Sequence, residues 1–291
     1  MREESFATPG RLQVIVNNEV GLVVITTSES TTTSVSLEGD SAGAEELIER
    51  ATIECRSTDG SDVVRVKIPR MHGMKFIRRN GVTVRITTPD GCDVDVTTAS
   101  ADVELNGSFG GVTVKSASAD ITVDDAAGDL RAKTASGDIS VGTVGGELTM
   151  HSASGDVRCV RVDGRSSATS TSGSVEVGSA GDRVDARSTS GDVRLGDVAG
   201  DASIVAVSGS VQVLAAVVGT VHIRSVSGDV SVGIAQGVSL RVDVQTMSGK
   251  VHSDIPINET PSAGSTDALL ALTVRSVSGD VRVERAVGAL L

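Results

Sequence analysis

The chain reads as an all-β parallel solenoid of the β-helix or β-roll type, and three observations predict that fold. The first is a repeat. Ser-(Gly/Ala)-X begins at Ser100, Ser118, Ser136, Ser154, Ser172, Ser190 and Ser208, six intervals of eighteen residues, and returns at Ser227, Ser248 and Ser278 after longer gaps. The second is alternation within each half of the repeat. Residues 91–216 divide into fourteen nonapeptides without an insertion. The sixth place is apolar in all fourteen, the fourth in all but Ser166, and the fifth between them is always polar. Side chains alternate sides along a strand, so each nonapeptide holds one short strand with one buried face. The third is composition. Among 291 residues there is no Trp, no Tyr and only three Phe. The interior must therefore be built from Val, Ile, Leu and Ala, in a gap too narrow for most rings.

A nine-residue unit carries too few apolar groups to fold alone and must stack on its neighbours. Ser opens one set of nonapeptides, and Gly, Ala, Asp or Phe opens the other. That alternation predicts two strands per eighteen-residue coil, one on each of two facing sheets, with rungs about 4.8 Å apart. Gly fills the second place in ten of the fourteen units, where a turn can require positive φ. The ninth place, mostly Ala, Val or Thr, suits a tight corner.

Residues 11–90 carry the strand-like segments LQVIV, LVVIT, SVSL, VVRVKI and VTVRIT in looser register. A short helix is expected over Gly43–Ala51, where Leu47, Ile48 and Ala51 share a face. Residues 1–90 thus read as an N-terminal cap with irregular first coils, continuous with the solenoid. Such a cap is expected because a bare solenoid end is an unpaired sheet edge. Residues 91–255 read as the regular solenoid, 256–268 as an exposed loop, and 269–291 as the last coil and a C-terminal cap ending in the apolar AVGALL.

The recurring motif stands at Ser136-Gly137-Asp138, Ser154-Gly155-Asp156, Ser190-Gly191-Asp192, Ser227-Gly228-Asp229 and Ser278-Gly279-Asp280, each followed by Ile or Val, and departs at Ser174, Ser210 and Lys250. With segments such as TTPDGCDVDVTTASADVEL it resembles a bacterial family of β-strand-repeat domains labelled "putative" adhesins or domains of unknown function. The resemblance covers nearly the whole chain. It implies a repeat fold and a surface-exposed or envelope-linked binding role, and it supplies no catalytic residues.

Charge narrows the function classes. With 26 basic against 38 acidic residues the formal net charge is −12, which argues against binding nucleic-acid phosphates. No run is long and apolar enough for membrane insertion, and the N-terminus shows no secretory pattern. A cytoplasmic location is expected, with surface or envelope association left open. Cys55, Cys92 and Cys159 have no metal-like spacing and read as reduced thiols; no cofactor is expected.

Residues 63–89 are the exception to the acidic balance. They hold Arg65, Lys67, Arg70, Lys75, Arg78, Arg79 and Arg85 with no Asp or Glu. Arg70, Lys75, Phe76, Arg78 and Arg79 are the candidate partner-binding residues, the alternative being a cap loop with solvated charges. The Asp column Asp102, Asp120, Asp138, Asp156 and Asp192 reads as turn carboxylates accepting backbone N–H groups, the alternative being a row of cation ligands. The motif serines read as hydroxyls bonding rung to rung. The expected function is a non-catalytic binding or scaffold protein, partnered by another protein or by itself through its ends. An envelope-linked partner-binding or adhesin-like module using the basic segment 65–85 is the alternative. A glycan-active enzyme, which needs paired carboxylates, is the lesser one, and acidic neighbours such as Asp124 and Asp125 do not obviously flank a scissile bond.

Overall fold

The computed structural model describes residues 1–58, 60–70, 81–255 and 269–286. The chain forms two compact units, Met1–Gly146 and Glu147–Leu291, and each is a parallel β-solenoid.

The first unit contains β1 (Arg2–Ala7), β2 (Arg11–Ser28), β3 (Thr32–Glu38), α1 (Ala42–Glu49), β4 (Thr52–Thr58), β5 (Ser61–Lys67), β6 (Val82–Pro89), β7 (Asp93–Phe109), β8 (Val112–Lys115), β9 (Ile121–Ala126), β10 (Leu130–Lys133) and β11 (Ile139–Val144). LQVIV and LVVIT merge into the single strand β2. The first half of β2 lies in parallel between β5 and β7, with Asn17 opposite both Lys67 and Thr97. Its second half lies between β6 and β7, with Ile25 opposite both Ile86 and Leu105. The strand that comes first of these in sequence is therefore second in space, inside β5 and β6. Beyond β6 and β5 the pairing turns antiparallel, through β3 and β1 on one side and β4 on the other. REESFA and TIECRST, the segments of β1 and β4, show no clear apolar alternation; edge pairing rather than burial makes them strands. The expected helix is α1, capped by Ser41, whose Oγ accepts from Ala44 N at 3.1 Å. It buries Ala44, Leu47 and Ile48 against β3 and β6.

The regular coils follow the eighteen-residue register. Ile121 lies opposite Val103 and Ile139 on one sheet, and Val112 opposite Val94 and Leu130 on the other. Val141 is 2% exposed. Phe109 is also fully buried, a ring inside the aliphatic interior. It fits because its neighbour one rung on is Ala126.

The second unit contains β12 (Leu148–Ser152), β13 (Val157–Val162), β14 (Ser166–Ser170), β15 (Val175–Ala180), β16 (Val184–Ser190), β17 (Val193–Val198), β18 (Ala202–Ser208), β19 (Val211–Ala216), β20 (Gly219–Ser227), β21 (Val230–Ile234), β22 (Ser239–Ser248), β23 (Val251–Ser253), β24 (Leu269–Ser278) and β25 (Val281–Arg285). Odd-numbered β13 to β21 stack on one sheet and even-numbered β12 to β20 on the other. Then the order changes. β24 lies between β20 and β22, and β25 between β21 and β23. The last coil in sequence is inserted beneath the 239–253 coil, which becomes the outer rung. The expected loop at 256–268, and all of the apolar C-terminus after Ala286, lie outside the described residues.

The hydroxyls that bond between rungs are not those that open the motif. Ser136, Ser154, Ser190 and Ser227 are exposed. The buried ones sit in the eighth place of the preceding unit: Ser170 Oγ donates to Gly155 O at 2.8 Å and Ser188 Oγ to Gly173 O at 2.9 Å, with Thr134 placed likewise. An inward polar group must be satisfied locally, and the carbonyl of the adjoining turn is within reach. The glycines also differ from expectation. Gly228 has positive φ, but Gly137, Gly155 and Gly191 do not. At Gly137 and Gly191 the requirement is close approach, since a Cβ there would lie 1.7 Å from Ala119 O and 2.3 Å from Gly173 O respectively. Cys159 faces inward, and burial pushes its thiol up to about 12. Burial also raises the Cys92 thiol, so neither is a ready nucleophile at neutral pH.

Candidate functional site

In β5 the alternation of SDVVRVK turns Val64 and Val66 inward and Arg65 and Lys67 outward. Ile68 is buried and Pro69, lacking an N–H, cannot extend the ladder. The chain leaves the sheet there, above a concavity of about 820 Å³ in the first unit. Among the described residues, Arg50, Arg65, Lys67 and Arg70 line it with one acid, Glu19, whose carboxylate accepts from Arg70 Nε at 2.6 Å. Buried Asn18 also lines it; its Nδ2 donates to Val82 O at 2.8 Å, while its Oδ1 has no partner among the described residues. Of the candidate residues, Arg70 is at this site; Lys75, Phe76, Arg78 and Arg79 lie outside the described residues.

The register extends the basic group well beyond the 65–85 segment. Lys67 is followed on successive rungs by Asn17, Thr97, Lys115 and Lys133, four spacings or about 19 Å in all. The column two residues back runs Arg65, Ile15, Asp95, Thr113 and Arg131. Lys115 and Lys133 are exposed and directly opposite each other, and among the described residues neither has an ion-pair partner. Like charges so placed destabilise a sheet. Sequence reading missed both because they lie more than forty residues from Lys67. The signal was present in the fold: both occupy the seventh place of their nonapeptides, which the eighteen-residue repeat stacks.

The Asp column has a structural occupation. Asp120 N donates to Asp102 Oδ1 at 3.1 Å, Asp138 N to Asp120 Oδ1 at 2.9 Å, Ser174 N to Asp156 Oδ1 at 2.9 Å and Ser210 N to Asp192 Oδ1 at 2.9 Å. Each carboxylate thus caps the backbone amide one rung on. Ser174 and Ser210 can stand in the Asp column because what Asp156 and Asp192 take from them is only the backbone N–H as donor. Arg158 and Arg194 lie 3.5 and 3.8 Å from Asp156 and Asp192. Among the described residues no group of three or more His, Cys, Asp or Glu is arranged to hold a metal. Asp124 and Asp125 face different rungs, accepting from Gly107 N at 2.9 Å and Thr143 N at 3.2 Å.

The model of one domain family, Toastrack DUF4097, matches residues 14–183 and 127–284. The chain belongs to the Toastrack family. A search of the curated proteins finds no match. Among solved structures, this Toastrack chain is similar to a "putative adhesin" from Bacteroides fragilis, at 15% identity over 97% of this chain and 96% of that one, with a TM-score of 0.37. It is also similar to a "putative lipid binding protein" from Parabacteroides distasonis, at 12% identity over 97% and 96% of the two chains, with a TM-score of 0.45. A third, a "putative cell adhesion protein" from Clostridium sporogenes, shares 12% identity over 98% and 99%, with a TM-score of 0.25. No described helix of the Toastrack chain is long and apolar enough to cross a membrane.

Proposed function

We propose that this protein is a non-catalytic binding module whose basic face takes an acidic protein partner. The observation that carries the reading is the alignment of Lys67, Lys115 and Lys133 beside the concavity of Arg50, Arg65 and Arg70, in a chain whose net charge is −12. The face is longer than the screening length of about 8 Å at physiological salt. A single small anion would answer only part of it, whereas an acidic stretch of protein would answer all of it. Poly-L-glutamate is the probe. Lys67→Glu with Lys115→Glu should weaken its binding, measured by fluorescence anisotropy at low salt, by at least about tenfold. Binding of the wild type should fall as salt rises. Equal binding by wild type and the double variant would overturn the reading.

A second reading, self-association through an end, is favoured by the outer rung of the second unit. Among the described residues β22 and β23 each have a strand neighbour on one side only, and their inward-type Val242 and Val251 are 36% and 51% exposed. An unpaired edge with apolar side chains invites another strand. The expected result is a concentration-dependent dimer by light scattering that Val242→Lys makes monomeric. A wild type that stays monomeric across the concentration range rejects it.

A further inference from the structure

The second unit carries an exposed apolar stripe that the basic-face reading does not use. Four successive rungs align Ala206 with Ser225, Ser225 with Ser276, and Ser276 with Thr246; they likewise align Ser208, Ser227, Ser278 and Ser248. Between these positions stand Val207, Val226, Val277 and Met247, pointing outward and 38%, 47%, 46% and 85% exposed. Scattered exposed apolar residues are ordinary, but three valines and a methionine in one line are a patch. Two residues back, the same face runs Arg187, Val205, Arg224, Arg275 and Gln245. Among the described residues no carboxylate pairs with Arg187, Arg224 or Arg275, and the last two are neighbours. On the opposite border, on the turns, Asp229 and Asp280 are exposed, their Oδ1 atoms holding the amides of Asp280 and Lys250 at 2.9 and 2.8 Å.

We infer that this stripe is a docking site for an amphipathic helix of another protein, acidic along one flank only. The spacing favours a helix. One rung rises about 4.8 Å and one helical turn 5.4 Å, so a helix lying along the stack sets about one apolar residue against each stripe residue. Three rung intervals span about 14 Å, close to three turns. The arginine column lies about 7 Å to one side, within reach of Glu or Asp flanking the helix's apolar face. The charge pattern selects the occupant. Guanidiniums without counter-ions among the described residues ask for carboxylates on their side; on the other border Asp229 and Asp280 repel them on the two inner rungs, and the cation Lys250 follows only on the outermost. An anionic membrane would press its phosphates on both borders at once. The chain's own described helix, α1, is acidic and amphipathic, but Ala44, Leu47 and Ile48 are already buried in the first unit.

The test is a displayed library of twelve-residue helical peptides, with an apolar face held constant and each flank randomised between acidic, basic and neutral. It is selected on the full chain. The expected winners carry acid on one flank and not the other. They lose at least about tenfold in affinity to Arg224→Glu with Arg275→Glu and to Val226→Ser with Val277→Ser, all at exposed positions. Winners with no flank preference, winners that bind both variants as well as wild type, or a library with no winners would overturn it. So would phosphatidylserine vesicles that pull down the wild type and not the Val226→Ser, Val277→Ser variant.

Discussion

Val274→Asp should unfold two coils rather than one. Val274 is fully buried in β24, opposite Ile223 of β20 and Val244 of β22. A carboxylate there has no cation inside the stack, and an uncompensated buried charge costs on the order of 3–5 kcal/mol. Stability in a stack is close to a sum over neighbouring rungs, so the loss is local. Because the 269–285 coil lies beneath the 239–253 coil, amide protons of both should lose protection in hydrogen exchange. Those of β16 and β18 should keep it. Val244→Asp, in the outer rung, is the control and should release residues 239–253 alone. Protection retained at 239–253 in the Val274→Asp protein would mean that the rungs follow sequence order after all.

The second large effect is expected at Gly228. It combines φ of +129° with a close approach: a Cβ would lie 2.2 Å from Gly209 O of the rung below. The rung above is equally tight, since a Cβ on Gly279 would meet Gly228 O at 2.2 Å. A side chain must therefore leave the left-handed region and push two turns apart. Gly228→Val should cost about 3 kcal/mol or more in urea unfolding, from backbone strain plus overpacking. Gly237→Ala is the comparison. It also has positive φ, +75°, but open space around it, and should cost about 1 kcal/mol. If the two variants proved equally stable, close stacking of the turns would not be what holds glycine at Gly228.

The same turn shows why some of the site was legible and some was not. Ala119 occupies the place of Gly137 one coil earlier and is fully buried, so the repeat alone does not say which coils demand glycine. That depends on how near the next turn comes. Likewise Arg65, Lys67 and Arg70 stand out in sequence as a run without acids, whereas Lys115 and Lys133 look like isolated lysines until the strands are stacked. Arg224 and Arg275 are fifty-one residues apart and adjacent in space only because of the inserted coil.

Within the regular coils, strand position, inward and outward faces, the coil length of eighteen and the exclusion of most rings were all decided by the sequence itself. These follow from the two-residue period of a strand and the volume of Val, Ile and Ala, which act over a few residues. The tertiary structure alone decided the order of rungs at the two chain ends, and with it which charges and valines line up. Coils that share one inward pattern fit one another almost equally well. Their order is therefore chosen by which free edge each coil meets, a long-range outcome that no local pattern encodes.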